Sequence, residues 1–363
     1  MPKRKAASAA LSKTPSMLHA DLREIILAAR AQVAQAVNSG LTLLYWQIGD
    51  RIRREVLKEK RAAYGEQIVQ TLSAQLAEEF GAGFSRRNLF NMIRFAELFP
   101  DLKIVQTLSA QLGWSHFGLL FGVNDSLARE FYSEMCRLER WSVRTLRAKI
   151  DSQLFLRTAL SKKPEKLARG ELAALRDQDR LSPDLVFRDP YVLDFLGLKD
   201  SYAEKDLEAA ILREMEAFIL ELGVGFAFVE RQKRMTVGGV DHYLDLLFYH
   251  RRLKRLVAID LKLGHFAPAD KGQMELYLAW LKENESADGE DSPLGLILCA
   301  GKNDETVRLL GLDKGQIRVA SYLAKALPQK ELERKLHDAV RLARERLATS
   351  QAKDALALPS AKT

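Results

Sequence analysis

The sequence predicts an α+β protein in which a helical N-terminal part precedes a sheet unit of order α-β-β-β-α-β. Three observations carry this reading. Apolar residues recur at helical spacing from about residue 20 to 160. Three strand-like runs then follow one another between residues 226 and 264, separated by turn signals. Strong amphipathic helices, 204–223 and 269–282, flank them.

The 363 residues are 47% apolar and 29% charged, which fits a folded, soluble chain with room for one large domain or two ordinary ones. No run of apolar residues is long enough to span a membrane. The start, MPKRKAASAALSKTPS, is basic but lacks the apolar stretch of a secretory signal. Cys136 and Cys299 lie far apart and read as buried thiols of a reducing, cytoplasmic setting. The net charge of +8 is unevenly spread: residues 1–150 hold 22 Lys or Arg against 14 Asp or Glu, and the remainder holds 34 of each. A polyanion such as DNA or RNA is therefore drawn first to the N-terminal part. A basic composition that serves solubility alone is the plainer alternative.

Residues 1–19 read as a flexible basic arm. In LREIILAARAQVAQAVNSGLTLLYWQIGDRIRREVLKE, Leu22, Ile25, Ile26, Ala29 and Val33 keep helical spacing, and Asn38, Ser39 and Gly40 are expected to interrupt the helix. YGEQIVQTLSAQLAEEFG is a further amphipathic helix ending at Gly81 or Gly83. In GFSRRNLFNMIRFAELFPD, Ser85 is placed to cap a helix from Arg86. Arg86, Arg87, Asn88, Asn91 and Arg94 would then share a face opposite Leu89, Ile93 and Phe95. A helix entered through a short turn, with Arg and Asn near its start, is how helix-turn-helix proteins meet a groove; a solvated bundle face would look the same. Helices at 125–139 and 143–160 complete a helical domain over 20–160, a candidate for DNA binding.

The charged segment 161–184, broken by Pro164, Gly170 and Pro183, reads as a linker. A second domain over 185–328 opens with FRDPYVLDFLGL as a short helical lead-in, then the helix 204–223. FAFVERQKRMTVG, YLDLLFYH and RLVAIDLKLG are the strands, divided by Gly238-Gly239 and by HRRLKR. The helix ADKGQMELYLAWLK and the strand LGLILCAG follow. Residues 329–350 form a terminal helix with Leu332, Leu336, Val340 and Leu347 on one side, and 351–363 read as a disordered tail.

Within the strands, alternation sets Asp260 and Lys262 on one face while Ile259, Leu261 and Leu263 pack on the other. A hairpin through HRRLKR brings Asp245 toward Asp260. Two such carboxylates raise each other's proton affinity unless a cation neutralises them, and hard oxygen donors suit Mg²⁺ or Mn²⁺. A lysine beside them positions a water or offsets charge on a phosphate. An ordinary cross-strand salt bridge is the alternative reading of the same three residues.

The stretches LYWQIG, GFSRRNLFNMIRF, DPYVLDFLGL, LELGVGFAFVERQKR and DHYLDLLFYHRRLKRLVAIDLKLGHFAPADKGQMELYL resemble the bacterial DUF1016, or YhcG-like, family of the PD-(D/E)xK nuclease superfamily. The resemblance runs from about residue 20 to 325 and implies a restriction-endonuclease-like core, phosphodiester hydrolysis in DNA and a Mg²⁺ or Mn²⁺ cofactor. It implies catalytic roles for Lys262, Asp245, Asp260 and Gln273. The family usually has Glu where this chain has Asp260, which sets the ligand atoms back by one methylene. The helix acid among the metal ligands is Glu214 by its distance from the first strand, or Glu208 by its DLE tripeptide. Glu230, Gln232, Tyr277 and His265 are secondary candidates. Arg251, Arg252, Lys254 and Arg255 either line the approach of a DNA backbone or keep a hairpin tip soluble. DNA is the expected partner, a homodimer would suit cutting of both strands, and a bacterial cytoplasmic, nucleoid-associated location is expected. A DNA-binding or regulatory protein on a nuclease-like scaffold is the alternative function.

Overall fold

In the computed structural model the described residues are 15–58, 62–197, 203–312, 315–324, 331–342, 344 and 345. Expectations for the arm 1–14 and the tail 351–363 lie outside them. The chain forms two compact units, divided between Val123 and Asn124.

The first unit is helical: α1 (Pro15–Lys58), α2 (Ala62–Phe80), α3 (Arg86–Leu98), α4 (Leu102–Ser109) and α5 (Trp114–Leu120). The break expected at Asn38–Gly40 is absent, and α1 runs through it as one 44-residue helix. Local preference is overridden because Ser39 Oγ meets Ser109 Oγ on α4 at 3.2 Å and Thr42 is buried just beyond; a helical glycine costs only about 1 kcal/mol. Gly49 lets α1 touch the α3 backbone at Met92, where Leu89, Met92, Ile52 and Val69 form a core. Trp46 Nε1 donates to Phe99 O at 2.8 Å. Gly81, at φ +90°, ends α2 as expected, and α3 begins at Arg86 after a three-residue 3-10 turn. Ser85 holds the cap position without a side-chain bond.

The second unit opens with α6 (Ser126–Glu139), α7 (Val143–Asp151), α8 (Leu154–Arg157), α9 (Glu165–Gln178) and α10 (Pro183–Val186). Asp125 caps α6 and Ser142 caps α7. Segment 161–184 differs from the expected linker: Ala168, Leu172 and Leu175 recur at i, i+4 and i+7 and are buried, so they fold as α9. Arg176 and Arg137 of α9 and α6 converge on Glu134. Residues 124–160 group with the sheet rather than with α1–α5, since Arg157 pairs with Glu221 at 2.5 Å and Asp189 N–H donates to Arg157 O at 2.7 Å.

The sheet has the order β1-β6-β5-β4-β3-β2, from β1 (Tyr191–Val192), β2 (Phe226–Val237), β3 (Val240–His250), β4 (Arg255–His265), β5 (Leu294–Gly301) and β6 (Ile317–Leu323). β2, β3 and β4 are antiparallel neighbours, and β4, β5, β6 and β1 run parallel. The expected helical lead-in at 187–198 is instead β1 followed by a 3-10 turn, because Tyr191 and Val192 pair with Tyr322 and Leu323. The single helix expected over 204–223 is two, α11 (Glu204–Arg213) and α12 (Met215–Leu222), meeting at the non-helical Glu214. They cover one face of the sheet over Phe248, Val257, Ile259, Leu261 and Leu296. The opposite face carries α13 (Pro268–Asn284), whose Met274, Tyr277, Leu278 and Leu281 pack on Ala258, Ile297, Cys299 and Val319. α14 (Asp304–Leu309) precedes β6. Helical residues 331–342 bury Leu336 and Val340, as the terminal-helix pattern anticipates.

Candidate active site

The β2–β3 hairpin closes through Gly238 and Gly239, both at positive φ, which fixes Val237 opposite Val240. β3 and β4 then pair from His250↔Arg255 to Leu246↔Ile259, and the ladder stops. Past that point the amides of β4 need other acceptors. Asp245 Oδ2 takes the N–H of Leu261 at 2.7 Å, and Glu204 Oε1 on α11 takes that of Leu263 at 3.3 Å. Asp245 is thus the first side chain beyond the ladder, held against the strand that bears Asp260 and Lys262.

Asp260 and Lys262 lie on the α13 face, as strand alternation anticipates. Asp260 is buried, and its Oδ2 lies 3.0 Å from Lys262 Nζ, without accepting an aligned hydrogen bond. Lys262 Nζ donates to Gln273 Oε1 at 3.3 Å. Gln273 Nε2 donates to Tyr277 Oη at 2.6 Å, and that hydroxyl donates to Tyr243 O at 3.0 Å. The i, i+4 spacing on α13 therefore tethers the lysine head to the β3 backbone.

Gln232 joins the helix acid to this group. Its Nε2 donates to Glu208 Oε2 at 3.0 Å and to Asp245 Oδ1 at 3.1 Å. Gln232 has φ +46°, a left-handed conformation that L-residues rarely adopt. Of the two helix acids, the structure brings Glu208 to Asp245, while Glu214 sits at the break between α11 and α12, 3.4 Å from Arg213. Glu230 is drawn elsewhere, pairing with Lys233 at 3.0 Å. His265 lies at the end of β4 against Gly301.

Burial pushes the Asp260 carboxyl up to about 6; the adjacent Lys262 opposes this and Asp245 adds to it. Asp245 is raised for the same first reason, against the Leu261 N–H and Gln232. Burial disfavours the Lys262 ammonium, but Asp260 outweighs it and holds its pKa above the usual lysine range. Two desolvated carboxylates and an oxygen without an aligned donor suit a hard cation. Among the described residues no three His, Cys, Asp or Glu side chains gather closely enough to cage one. Mg²⁺ needs no such cage, because it commonly takes one or two carboxylates and fills its shell with water and substrate phosphate.

The basic candidates divide. Arg252 donates to Leu138 O at 3.0 Å and Arg255 pairs with Asp291 at 2.6 Å, so both are engaged within the fold, whereas Arg251 and Lys254 are exposed. His250, the first residue of that turn, is buried and its Nδ1 accepts from Leu253 N–H at 3.1 Å. On α3, Arg86 pairs with Glu66 and lies over the Phe90 ring, while Arg87 and Arg94 are exposed and Asn91 is half-buried. Asn88, expected on that face, accepts from Trp114 Nε1 at 3.0 Å and is structural. Sequence reasoning missed Glu204; its signal is the i, i+4 spacing to Glu208.

An antiparallel hairpin thus feeds parallel strands, with an acid on its second strand, β3, and acid-x-lysine on β4. The "YhcG PDDEXK nuclease domain" model matches residues 184–337, and the "DUF1016 N-terminal domain" model matches residues 21–157. The Escherichia coli (strain K12) protein described as "Putative nuclease YhcG" is 38% identical over 315 residues, 78% of this chain and 83% of that protein. The chain belongs to this DUF1016, YhcG-like family of PDDEXK nucleases. Among solved structures, a repair endonuclease from Pyrococcus abyssi overlaps 34% of this chain and 49% of its own, at 19% identity and TM-score 0.24. The EndoMS–dsDNA2 complex overlaps 36% and 49%, at 18% identity and TM-score 0.26. No helix among the described residues is long and apolar enough to cross a membrane.

Proposed function

We propose that this protein is a Mg²⁺- or Mn²⁺-dependent nuclease that hydrolyses phosphodiester bonds in DNA, with its helical N-terminal part holding the substrate. The convergence of Asp245, Asp260 and Lys262 where β3 leaves β4 carries the reading. Asp245 and Asp260 would hold the ion, with Glu208 the third acid, joined through Gln232. When bound, the ion supplies Lewis acidity and neutralises the charge that would otherwise repel a phosphate. Lys262, held by Gln273, donates to the attacking water or to a phosphate oxygen, offsetting charge that develops there. Gln273 and Tyr277 keep its head aimed, and α13 excludes water from one side of the carboxylates.

Arg87, Asn91 and Arg94 on α3, with Arg251 and Lys254 at the β3–β4 turn, are assigned to phosphate contacts. A cytoplasmic location accords with two buried, unpaired cysteines.

The test is cleavage of linear, supercoiled, forked and single-stranded DNA, and of RNA, in Mg²⁺, Mn²⁺ or EDTA. Wild type is compared with Asp245→Ala and Lys262→Ala. Metal-dependent cutting of DNA, lost in both variants while binding persists, is expected. Binding without cutting in any substrate and metal would overturn the nuclease reading in favour of a DNA-binding or regulatory role.

A further inference from the structure

The two ends of α1 have different surroundings. From Thr42 onward the helix is built into its unit, with Thr42, Trp46 and Ile52 buried. Between residues 19 and 38 every residue but Asp21 is exposed, and Gln35 reaches across to donate to Ala110 O. The exposed half is nonetheless apolar along one side: Leu22 is 49% exposed, Ile25 64%, Ile26 52%, Val33 65% and Val37 55%. A solvated helix has no physical reason to keep such a stripe.

We infer that this stripe is a dimerisation seam that pairs with the same segment of a second copy of the chain, the two helices running parallel. The spacing identifies the kind of occupant. Leu22, Ile26, Ala29, Val33 and Ala36 follow one another at intervals of 4, 3, 4 and 3, the repeat of the a and d positions of a two-helix coiled coil. Such a seam fits another helix of the same period, not a sheet or a globular pocket.

The flanks favour an identical, parallel partner. Arg23, Arg30 and Val37 occupy one flank, and Ile25 and Gln32 the other. In a parallel pair each flank meets the opposite flank of its partner, so Arg30 lies beside Ile25 of the second copy and like charges stay apart. An antiparallel pair would instead set the arginine flanks against each other. In parallel register the layers are also self-matching: Ala29 meets Ala29, and Val33 meets Val33.

The size of the contact sets its strength. Five large side chains, each about half exposed, withdraw roughly 600 Å² per chain with their neighbours, at the lower edge of stable specific interfaces. The dimer therefore dissociates on dilution, with a dissociation constant on the order of micromolar. The inference does not rest on the nuclease reading and is measured without substrate.

Sedimentation velocity of the full chain, from about 0.5 to 50 µM, should pass from monomer to dimer around this dissociation constant. The double variant Ile26→Glu, Val33→Glu should weaken dimerisation at least about 100-fold while its circular dichroism and melting midpoint match wild type, because both positions are exposed in the single chain. A wild type that stays monomeric throughout, or a double variant that still dimerises, overturns the seam. Leu22→Cys and Val33→Cys, made separately and oxidised, should each form a homotypic disulfide. The native Cys136 and Cys299 are buried and add little background. Failure of either variant, or of both, to cross-link overturns the parallel arrangement.

Discussion

Two glycines on α1 should respond to alanine with opposite signs. A Cβ at Gly49 would lie 1.8 Å from Met92 O and 2.3 Å from Met92 C, whereas real Cβ atoms keep at least 3.0 Å from such atoms. The α1–α3 crossing must therefore open by more than an ångström. Leu89 and Met92, both at zero exposure in the adjoining core, would lose close packing as it does. Overpacking and the voids it opens cost about 3–5 kcal/mol, offset by about 1 kcal/mol of helix propensity gained on leaving glycine. The net loss for Gly49→Ala is about 2–4 kcal/mol. Gly40, nine residues earlier, has nothing within 4 Å of its Cβ position, so Gly40→Ala keeps the propensity gain of about 1 kcal/mol. Urea unfolding of each full-length variant, followed by tryptophan fluorescence and by helical dichroism, measures the difference. A Gly49→Ala protein within about 1 kcal/mol of Gly40→Ala would refute the close crossing.

Three further outcomes are expected. Asp260→Asn should reduce cleavage at least about 100-fold, yet leave stability in EDTA unchanged or raised by about 1–3 kcal/mol, because it removes a buried charge while Lys262 keeps Gln273 and partial solvent access. A clear loss of stability in EDTA would contradict this. Burial first, then Arg252 and Arg255, push His250 down to about 4 from 6.5, so the folded state holds it neutral; up to about 3 kcal/mol of stability, present above pH 6.5, is lost as pH falls toward 4. Paired urea titrations at pH 7.5 and 4.5 should show a smaller acid loss for His250→Asn than for wild type, and equal losses would remove His250 from the account. Gln232→Gly relieves a left-handed φ but loses the amide between Glu208 and Asp245, so cleavage should fall about 10-fold with stability equal or slightly higher; full activity would refute its positioning role.

Where one physical rule acted alone, the fold was legible in the sequence. Alternation sufficed to separate Ile259 and Leu261 from Asp260 and Lys262, because a strand with two packed faces admits only one register. The glycine pair 238–239 likewise announced its hairpin. Misreadings arose where tertiary contacts outweighed local preference. Asn38 and Gly40 look like a helix end, but Ser39 and Thr42 are held by packing against the unit's other helices. Pro164 and Gly170 look like a linker, yet Gly170 has nothing within 4 Å and costs α9 little beside the burial of Leu172 and Leu175. Two residues of β1 carry no periodicity at all; only pairing with β6 makes them a strand. That Glu208, and not Glu214, meets Gln232 depends on a break in the helix that no helical repeat encodes.

The two site aspartates, equivalent as residue types, do different work. Both oxygens of Asp245 are engaged, one by the Leu261 amide and the other by Gln232, so this carboxylate replaces a missing ladder bond as well as facing the site. Asp260 leaves Oδ2 without an aligned hydrogen bond and relies on Lys262 beside it. Removing Asp245 therefore exposes the Leu261 amide and loosens the strand that carries Asp260 and Lys262, while removing Asp260 deletes a charge from an otherwise intact frame. A dead Asp245→Ala protein is thus ambiguous between lost chemistry and a lost frame. An inactive Asp260→Asn protein that remains folded and still binds DNA points to the chemistry alone. The divergence of β3 from β4 is what makes this division necessary. It leaves two amides, those of Leu261 and Leu263, that the fold satisfies with acids from β3 and α11.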